Sequence, residues 1–400
     1  MHPGIQKLYD IAKKPRRLII GLMSGTSLDG LDIALCSFEG SGLQTSVKLL
    51  QHQTILYEED LKEEIRTVFA QKQIDLEKLC ILHPYLALKH AEMVLNTLDK
   101  WGIKSEDVDL LASHGQTVYH APFSLHQQVK FGNATMQIGD GDHLSVATGI
   151  ITLSDFRQKH IAGGGEGAPL SLYGDYLLYG TKGIHNILLN IGGIANFTYL
   201  PASMIWEEVI STDTGPGNTL MDAYTRQNFP GMLYDKDAAI ASKGKVHESL
   251  LTQLNKNAFF NLSFPRTTGP ELFNLEYVQH ALERSDVIDI SKEDVMATLN
   301  RFTVDSIINA IRKIHTKNVK AVVTITGGGA HNPLLVSSLK KELKEYSFLP
   351  KEEQLINPDA KEAVLFALLA NEAVGGNDKP LNNLNNQQPQ ISMGKISFPY

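Results

Sequence analysis

LIIGLMSGTSLDG, residues 18–30, decides how this chain folds, because an apolar strand runs into a turn dense in Gly, Ser and Thr that closes on Asp29. Residues 31–38 then read as a second strand. Small side chains let the backbone approach a ligand, and Gly permits the positive φ that a concave nest of N–H groups requires. Such a turn offers amides and hydroxyls to an anion. Asp29 stands where a carboxylate can hold Mg²⁺ beside a bound polyphosphate. The spacing Gly-x-x-x-x-Gly-Lys-Ser/Thr is absent and no helix follows, so this is not a Walker A loop. It is either a strand–turn–strand phosphate hairpin or an ordinary glycine-containing hairpin.

Two further glycine turns lie downstream. LNIGGIAN, residues 189–196, places Gly192 and Gly193 after an apolar strand, as an amide cradle or a tight β-turn. ITGGGAHNPLL, residues 325–335, places Gly327, Gly328 and Gly329 after a buried strand and lets Asn332 and Pro333 open a Leu-rich helix. That strand–loop–helix start can accept a nucleotide against its amides. Between them, STDTGPGN puts Asp213 at a strand end before a Gly-Pro-Gly turn and a helix. Asp213 either projects a carboxylate into a cleft, as a phosphoryl-transfer base would, or caps the turn. Arg157 can hold a substrate carboxylate bidentately or form a surface ion pair. SHGQT, residues 113–117, suits sugar hydroxyls or a polar turn, and Glu362 on an apolar helix is solvent-facing or a second carboxylate in the cleft.

Composition narrows the classes. The 37 basic against 44 acidic residues give a net charge of −7, which argues against nucleic acid or an acidic membrane as the main partner. No apolar run of about 18 residues occurs, so a cytoplasmic protein is expected. Cys36 and Cys80 fall in apolar segments and are expected to be buried free thiols. Residues 1–14 read as a short leader helix or frayed end, and residues 75–101 as a helix split near Pro84, its Leu stripe forming core. Residues 375–390 read as a mobile loop and the last ten as a closing strand. Both halves open with a strand, a glycine turn and a second strand. The expectation is therefore an α/β protein of two lobes facing each other across a ligand cleft, residues 1–155 and 156–384, with 385–400 returning to the first.

The blocks GLMSGTSLDGLD, ASHGQTVYH, TMQIGDG, DFRQKHIAGGGEGAPL, LNIGGIANF, DTGPGNTLMDAY, YDKD, TGGGAHNPLL and DAKEAVLFALLA resemble, in order and over nearly the whole chain, the bacterial anhydro-N-acetylmuramic acid kinases. The resemblance implies a two-lobed actin-like ATPase (duplicated ribonuclease H-like) fold with a central nucleotide cleft, a homodimer, ATP with Mg²⁺, and a role in recycling peptidoglycan sugars. It also implies a reaction in which water opens the 1,6-anhydro ring while the released 6-oxygen takes the γ-phosphoryl group. By matching motif, Gly25, Thr26, Ser27, Leu28, Asp29, Gly30, Leu31 and Asp32 would bind the ATP phosphates, with Asp29 toward the metal. Asp213 would be the base. Gly192, Gly193, Gly327, Gly328, Gly329 and Asn332 would complete the nucleotide site, and His114, Gln116, Arg157, Gly167 and Glu362 would meet the sugar. Glu166 departs from the Gln expected there, and an anion near an anionic substrate must point away or pair, for example with Lys159 or Arg157. The leader and the Asn-rich tail look like additions. The competing readings are an ordinary sugar or carboxylate kinase of the same superfamily and a nucleotide-gated binding protein. Against the latter, no peptide-binding region follows the ATPase-like part.

Overall fold

A computed structural model describes residues 1–285, 287, 289–314, 320–350, 356–376 and 391–400. The expected mobile tail lies, beyond Gly376, outside these residues. The chain divides into two compact units, one of Met1–Leu178 with Ile356–Tyr400 and the other of Tyr179–Leu355.

In the first unit, β1 (Arg16–Ser24), β2 (Gly30–Glu39), β3 (Ser46–Leu56), β4 (Leu110–Ala121) and β6 (Thr152–Ser154) form a sheet in the order β3-β2-β1-β4-β6. β5 (Ala134–Ile138) pairs with the outer part of β4, and the chain's last strand, Lys395–Ser397, pairs antiparallel with β6. β1, β2 and β3 are antiparallel, whereas β4 runs parallel to β1 and β6 parallel to β4. In the second unit, β7 (His185–Ile191), β8 (Ile194–Leu200), β9 (Ile210–Pro216), β10 (Ala321–Thr326) and β11 (Ser347–Phe348) take the order β9-β8-β7-β10-β11 with the same pattern of directions. Third, second, first, fourth, fifth occurs in each unit. The fold is thus a duplicated ribonuclease H-like α/β architecture.

The order follows from apolar pattern. β1 is central, and its run of Ile19, Ile20 and Leu22 is fully buried, as a strand covered on both faces requires. One face is covered by the helix Leu76–Trp101, which buries Leu79, Leu82, Leu86, Val94 and Leu98 and is capped by the Asp75 carboxylate and by Gly102 at φ +66°. This helix does not split at Pro84; it continues for 26 residues. Pro84 forfeits only the one hydrogen bond to the Cys80 carbonyl, while the buried Leu stripe on either side of it holds the helix in place. The pair of buried thiols is corrected too: Cys36 alone is buried. The helix Lys361–Gly375 packs on β1, with the Ala363 carbonyl so close to Gly21 that a Cβ there would collide with it.

The expected boundary at residue 155 falls inside the first unit. Phe156 is 1% exposed and packs on Phe366 with ring centroids 5.4 Å apart, which ties residues after 155 and the helix Lys361–Gly375 to the same core. Burying such a ring contributes about 1.5–3 kcal/mol. The leader forms a helix, Pro3–Lys13, that buries Ile11. In the second unit the long helix Lys292–Ile314 supplies Phe302, Val304 and Ile307 to the core. Among the described residues no helix is long and apolar enough to cross a membrane.

Candidate active site

In the first unit the turn of residues 25–29 leaves Thr26, Ser27 and Asp29 exposed while Leu28, at φ +59°, folds its side chain into the core. The Leu28 N–H donates to the Gly25 carbonyl at 3.3 Å, and the Asp29 carbonyl accepts from the Tyr57 N–H at 3.0 Å. Leu28 therefore anchors the turn, and its polar neighbours face outward. Gly30 and Leu31 are buried, and a Cβ at Gly30 would strike the Ile55 backbone, so both frame the hairpin. Asp32 accepts from Thr54 Oγ1 at 2.5 Å across the β2–β3 ladder.

A buried chain of hydrogen bonds supports the turn from behind. Tyr57 OH donates to Ser24 Oγ at 2.7 Å, and Ser24 Oγ donates to Gln116 Oε1. His90 Nε2 lies 2.7 Å from Tyr57 OH. The Gln116 amide nitrogen reaches the Gly25 carbonyl at 3.2 Å. Gln116 was expected to meet the sugar; it is fully buried instead, because the β1–β4 register sets it beside Ser24. Its amide holds the turn of residues 25–29. Burial also pushes the His90 imidazole down to about 4.

His114 receives a similar correction. It is 4% exposed, its Nδ1 is 2.8 Å from the Gly115 carbonyl, and its Nε2 accepts from Arg157 Nε at 2.7 Å. Those partners assign the neutral Nδ1–H tautomer. Burial first, and the Arg157 charge second, push the ring down to about 3. Arg157 Nη1 donates to the Gly167 carbonyl at 2.8 Å. His114 and Gly167 thus orient the guanidinium, whose Nη2 has no partner among the described residues. Glu362 lies exposed on the first turn of its helix, yet the protein around it raises its carboxyl above the usual range, with Arg157 pulling it back and Asp32 adding to the rise. Glu166 pairs with neither Lys159 nor Arg157. Its charge acts on His120, which burial and then Arg157 lower and Glu166 raises.

In the second unit Asp213 sits half-buried on β9, and its Oδ2 accepts the Thr268 N–H at 2.8 Å. Burial raises its carboxyl above the ordinary value, and the Thr268 N–H and the Arg266 charge oppose the rise. Its oxygen Oδ1 has no partner among the described residues. A carboxylate made more basic by desolvation but held ionised and aimed by fixed donors is a competent general base. Arg266 and Thr268 escaped the sequence reading because they lie more than fifty residues along the chain from Asp213; FPRTT carries no motif of its own.

The glycine turns divide into scaffold and open surface. The Gly192 and Gly193 carbonyls accept the N–H groups of Gly217, Asn218 and Thr219 at 2.8–3.1 Å, clamping the start of the helix Thr219–Asn228. Gly327 is at φ +81°, and a Cβ there would lie 2.6 Å from Asn190 Oδ1. Gly329 abuts Ile191, whereas Gly328 opens onto a cavity of about 470 Å³ that Asn218, Asp222, Tyr234, Asp237 and Asn332 also line. Asn332 Oδ1 caps the helix Pro333–Glu342 through Leu335 N at 3.0 Å. Asp222, Tyr234 and Asp237 were visible only as letters within the DTGPGNTLMDAY and YDKD blocks.

Comparison with known proteins bears directly on this geometry. The profile of the family described as anhydro-N-acetylmuramic acid kinase matches residues 17–397. Proteins of that name from Pseudoalteromonas atlantica and Caldanaerobacter subterraneus subsp. tengcongensis are 52% and 39% identical over 400 and 396 residues, covering 100% and 98% of this chain and all of theirs. The alignment with the first is end to end, so the leader and tail, expected as additions, are shared with it. Among solved structures, the activator of the 2-hydroxyisocaproyl-CoA dehydratase from Clostridium difficile with bound ADPNP is 12% identical, covers 89% of this chain and 95% of its own, and has a TM-score of 0.35. The match to the family and to its full-length members is of another order, and the chain belongs to the anhydro-N-acetylmuramic acid kinase family.

Proposed function

We propose that this ATP-dependent kinase of 1,6-anhydro-N-acetylmuramic acid, an enzyme of cell-wall sugar recycling, runs both halves of its reaction on one base, Asp213. Asp213 takes a proton from the water that attacks the anomeric carbon. As the new C–O bond forms, the bond from that carbon to the bridging oxygen breaks and its electron pair stays on oxygen. That oxygen attacks the γ-phosphorus in line and ADP departs, giving N-acetylmuramic acid 6-phosphate. The observation that carries this reading is a desolvated carboxylate held through one oxygen by the Thr268 N–H, with the other oxygen left for water.

The remaining parts support it. Thr26, Ser27 and Asp29 present amides, hydroxyls and a carboxylate suited to ATP phosphates. Mg²⁺ fits this all-oxygen donor set, and among the described residues no cluster of three or more His, Cys, Asp or Glu is arranged to hold a metal otherwise. Mg²⁺ held by Asp29 would neutralise charge developing on the phosphates. Arg157, pinned by His114 and Gly167, is assigned to the lactyl carboxylate. The cavity at Gly328 takes the nucleoside. We place the enzyme in the cytoplasm as a homodimer; Phe123, Leu125, Val129 and Phe131, close together in sequence, are exposed apolar side chains of the kind that interfaces cover. A monomer in sedimentation velocity would remove that assignment.

The test is ADP release in ¹⁸O-labelled water with the anhydro sugar beside N-acetylmuramic acid, glucose and acetate. One anomeric ¹⁸O plus one phosphoryl group in the product is the expected result. Release only with another acceptor would mean an ordinary kinase, and release with none a nucleotide-gated binding protein.

A further inference from the structure

We infer that Arg266 is a positioning residue of this reaction, acting through Asp213 by tying the strand that carries the base to a buried guanidinium. The inference rests on the assignment of Asp213 as base.

Arg266 is 6% exposed and uses each of its nitrogens. Nε donates to the Asp213 carbonyl at 3.2 Å, Nη2 to the Thr214 carbonyl at 3.2 Å and Nη1 to the Phe259 carbonyl at 3.0 Å. Its own backbone completes the tie: its carbonyl accepts the Asp213 N–H at 3.0 Å, and its N–H donates to Thr212 Oγ1 at 3.0 Å. The next residue but one supplies the N–H that holds the Asp213 carboxylate. The guanidinium carbon lies 4.4 Å from the Phe259 ring centroid and 5.1 Å from that of Phe264.

A buried cation whose partners are carbonyls rather than a carboxylate is costly to desolvate, and a purely structural link at this place would be met more cheaply by neutral donors. The charged groups that bear on it are Asp213, which favours the cation, and Lys313, whose ammonium burial first and the Arg266 charge second lower. Arg266 thus does two things at once. It fixes the backbone on both sides of the Asp213 Cα, and it sets a positive charge near the base that keeps the carboxyl ionised. A planar fork serves three carbonyls; a lysine ammonium keeps the charge but loses the fork.

The experiment is a double-mutant cycle with R266K and D213N, read as kcat and KM for both substrates, with kcat against pH for R266K and R266M. R266K alone is expected to lower kcat about 10–100-fold, the cost of misplacing a reacting group by about an ångström. KM values and the acid limb stay near wild type. In R266M, which has lost the charge, the acid limb moves to higher pH. On the D213N background R266K costs less than about twofold, because its effect passes through the carboxylate. The inference is overturned if R266K costs the same factor with and without D213N, or if R266K turns over like wild type. Should R266M not fold, the cycle decides alone. Wild-type-like turnover by D213N would instead remove the base assignment on which the inference rests, and the two failures are told apart by that one variant.

Discussion

The β1–β2 turn of the first unit and the β7–β8 turn of the second occupy the same place in the same strand order, yet they do opposite things. Residues 25–29 push hydroxyls, amides and a carboxylate outward, with Leu28 as the inward anchor and a buried Tyr57–Ser24–Gln116 chain as support. Gly192 and Gly193 are a minimal turn whose carbonyls receive the start of a helix. A five-residue turn has room to present donors; a two-residue turn has only its backbone to offer. Duplication therefore copied the frame and not the chemistry. In the second unit a half-buried carboxylate stands on β9 at Asp213, and Gly328 of the triple-glycine loop opens onto the cavity.

The assignment of chemistry to the second unit breaks most visibly at Asp213. Asp213→Asn is expected to lower kcat by about 10²–10⁴-fold with little change in thermal stability. Initial rates beside a melting curve check this, and an active Asn variant would return the base to some other residue. Because the wild-type carboxyl is raised, kcat should fall on the acid side at a pH above that of an ordinary Asp.

Acid stability sharpens the comparison of the two units. The buried histidines with depressed values, His90 at about 4 and His114 at about 3 against the ordinary 6.5, both lie in the first unit. Unfolded chain binds their protons first as pH falls below 6.5. Their contribution is therefore complete above that value and is lost progressively toward pH 4 for His90 and pH 3 for His114, at about 1.4 kcal/mol per pH unit for each ring at most. Hydrogen exchange should then show β1 and β4 losing protection before β7 and β10. Equal loss in both units would refute it.

Within the triple-glycine loop the effects are smaller and separable. Gly327→Ala is expected to cost about 1–3 kcal/mol, from positive φ and the collision with Asn190, read by chemical denaturation. Gly328→Ala, whose Cβ would meet Asn218 Nδ2 at an ordinary contact distance of 3.5 Å, should keep the stability of wild type and raise KM for ATP. If both act alike, the division of the loop into scaffold and contact surface fails. The smallest effect belongs to Glu166→Gln. Removing an anion that acts on His120 near Arg157 should leave KM for the sugar equal or lower, and a clear rise would mean Glu166 makes a useful contact.

How much was legible depended on how local the cause was. The turn of residues 25–29 and the Leu stripe of the helix Leu76–Trp101 each follow from neighbours within a few residues, whereas Asp213, expected at a strand end, lies in the middle of β9, because Gly215 and Pro216 continue the ladder with β8. Gln116 and His114 read as sugar ligands because SHGQT is polar and ends a run of apolar residues, but the β1–β4 register and the approach of Arg157 consumed both side chains. Pro84 read as a break because its cost is local, while the buried stripe that outweighs it spans the whole helix.

By itself the sequence determined that each half carries a strand, a glycine turn and a second strand, and it determined the family, through motifs that follow one another in order along nearly the whole chain. Only the tertiary structure decided which polar residues face outward and which are spent inside, where the chain divides, and that Arg266 and Thr268 stand behind Asp213. Apolar periodicity and turn chemistry are short-range properties written in adjacent letters. Hydrogen-bond partnership between residues fifty or more apart exists only once the packed core has set their distance.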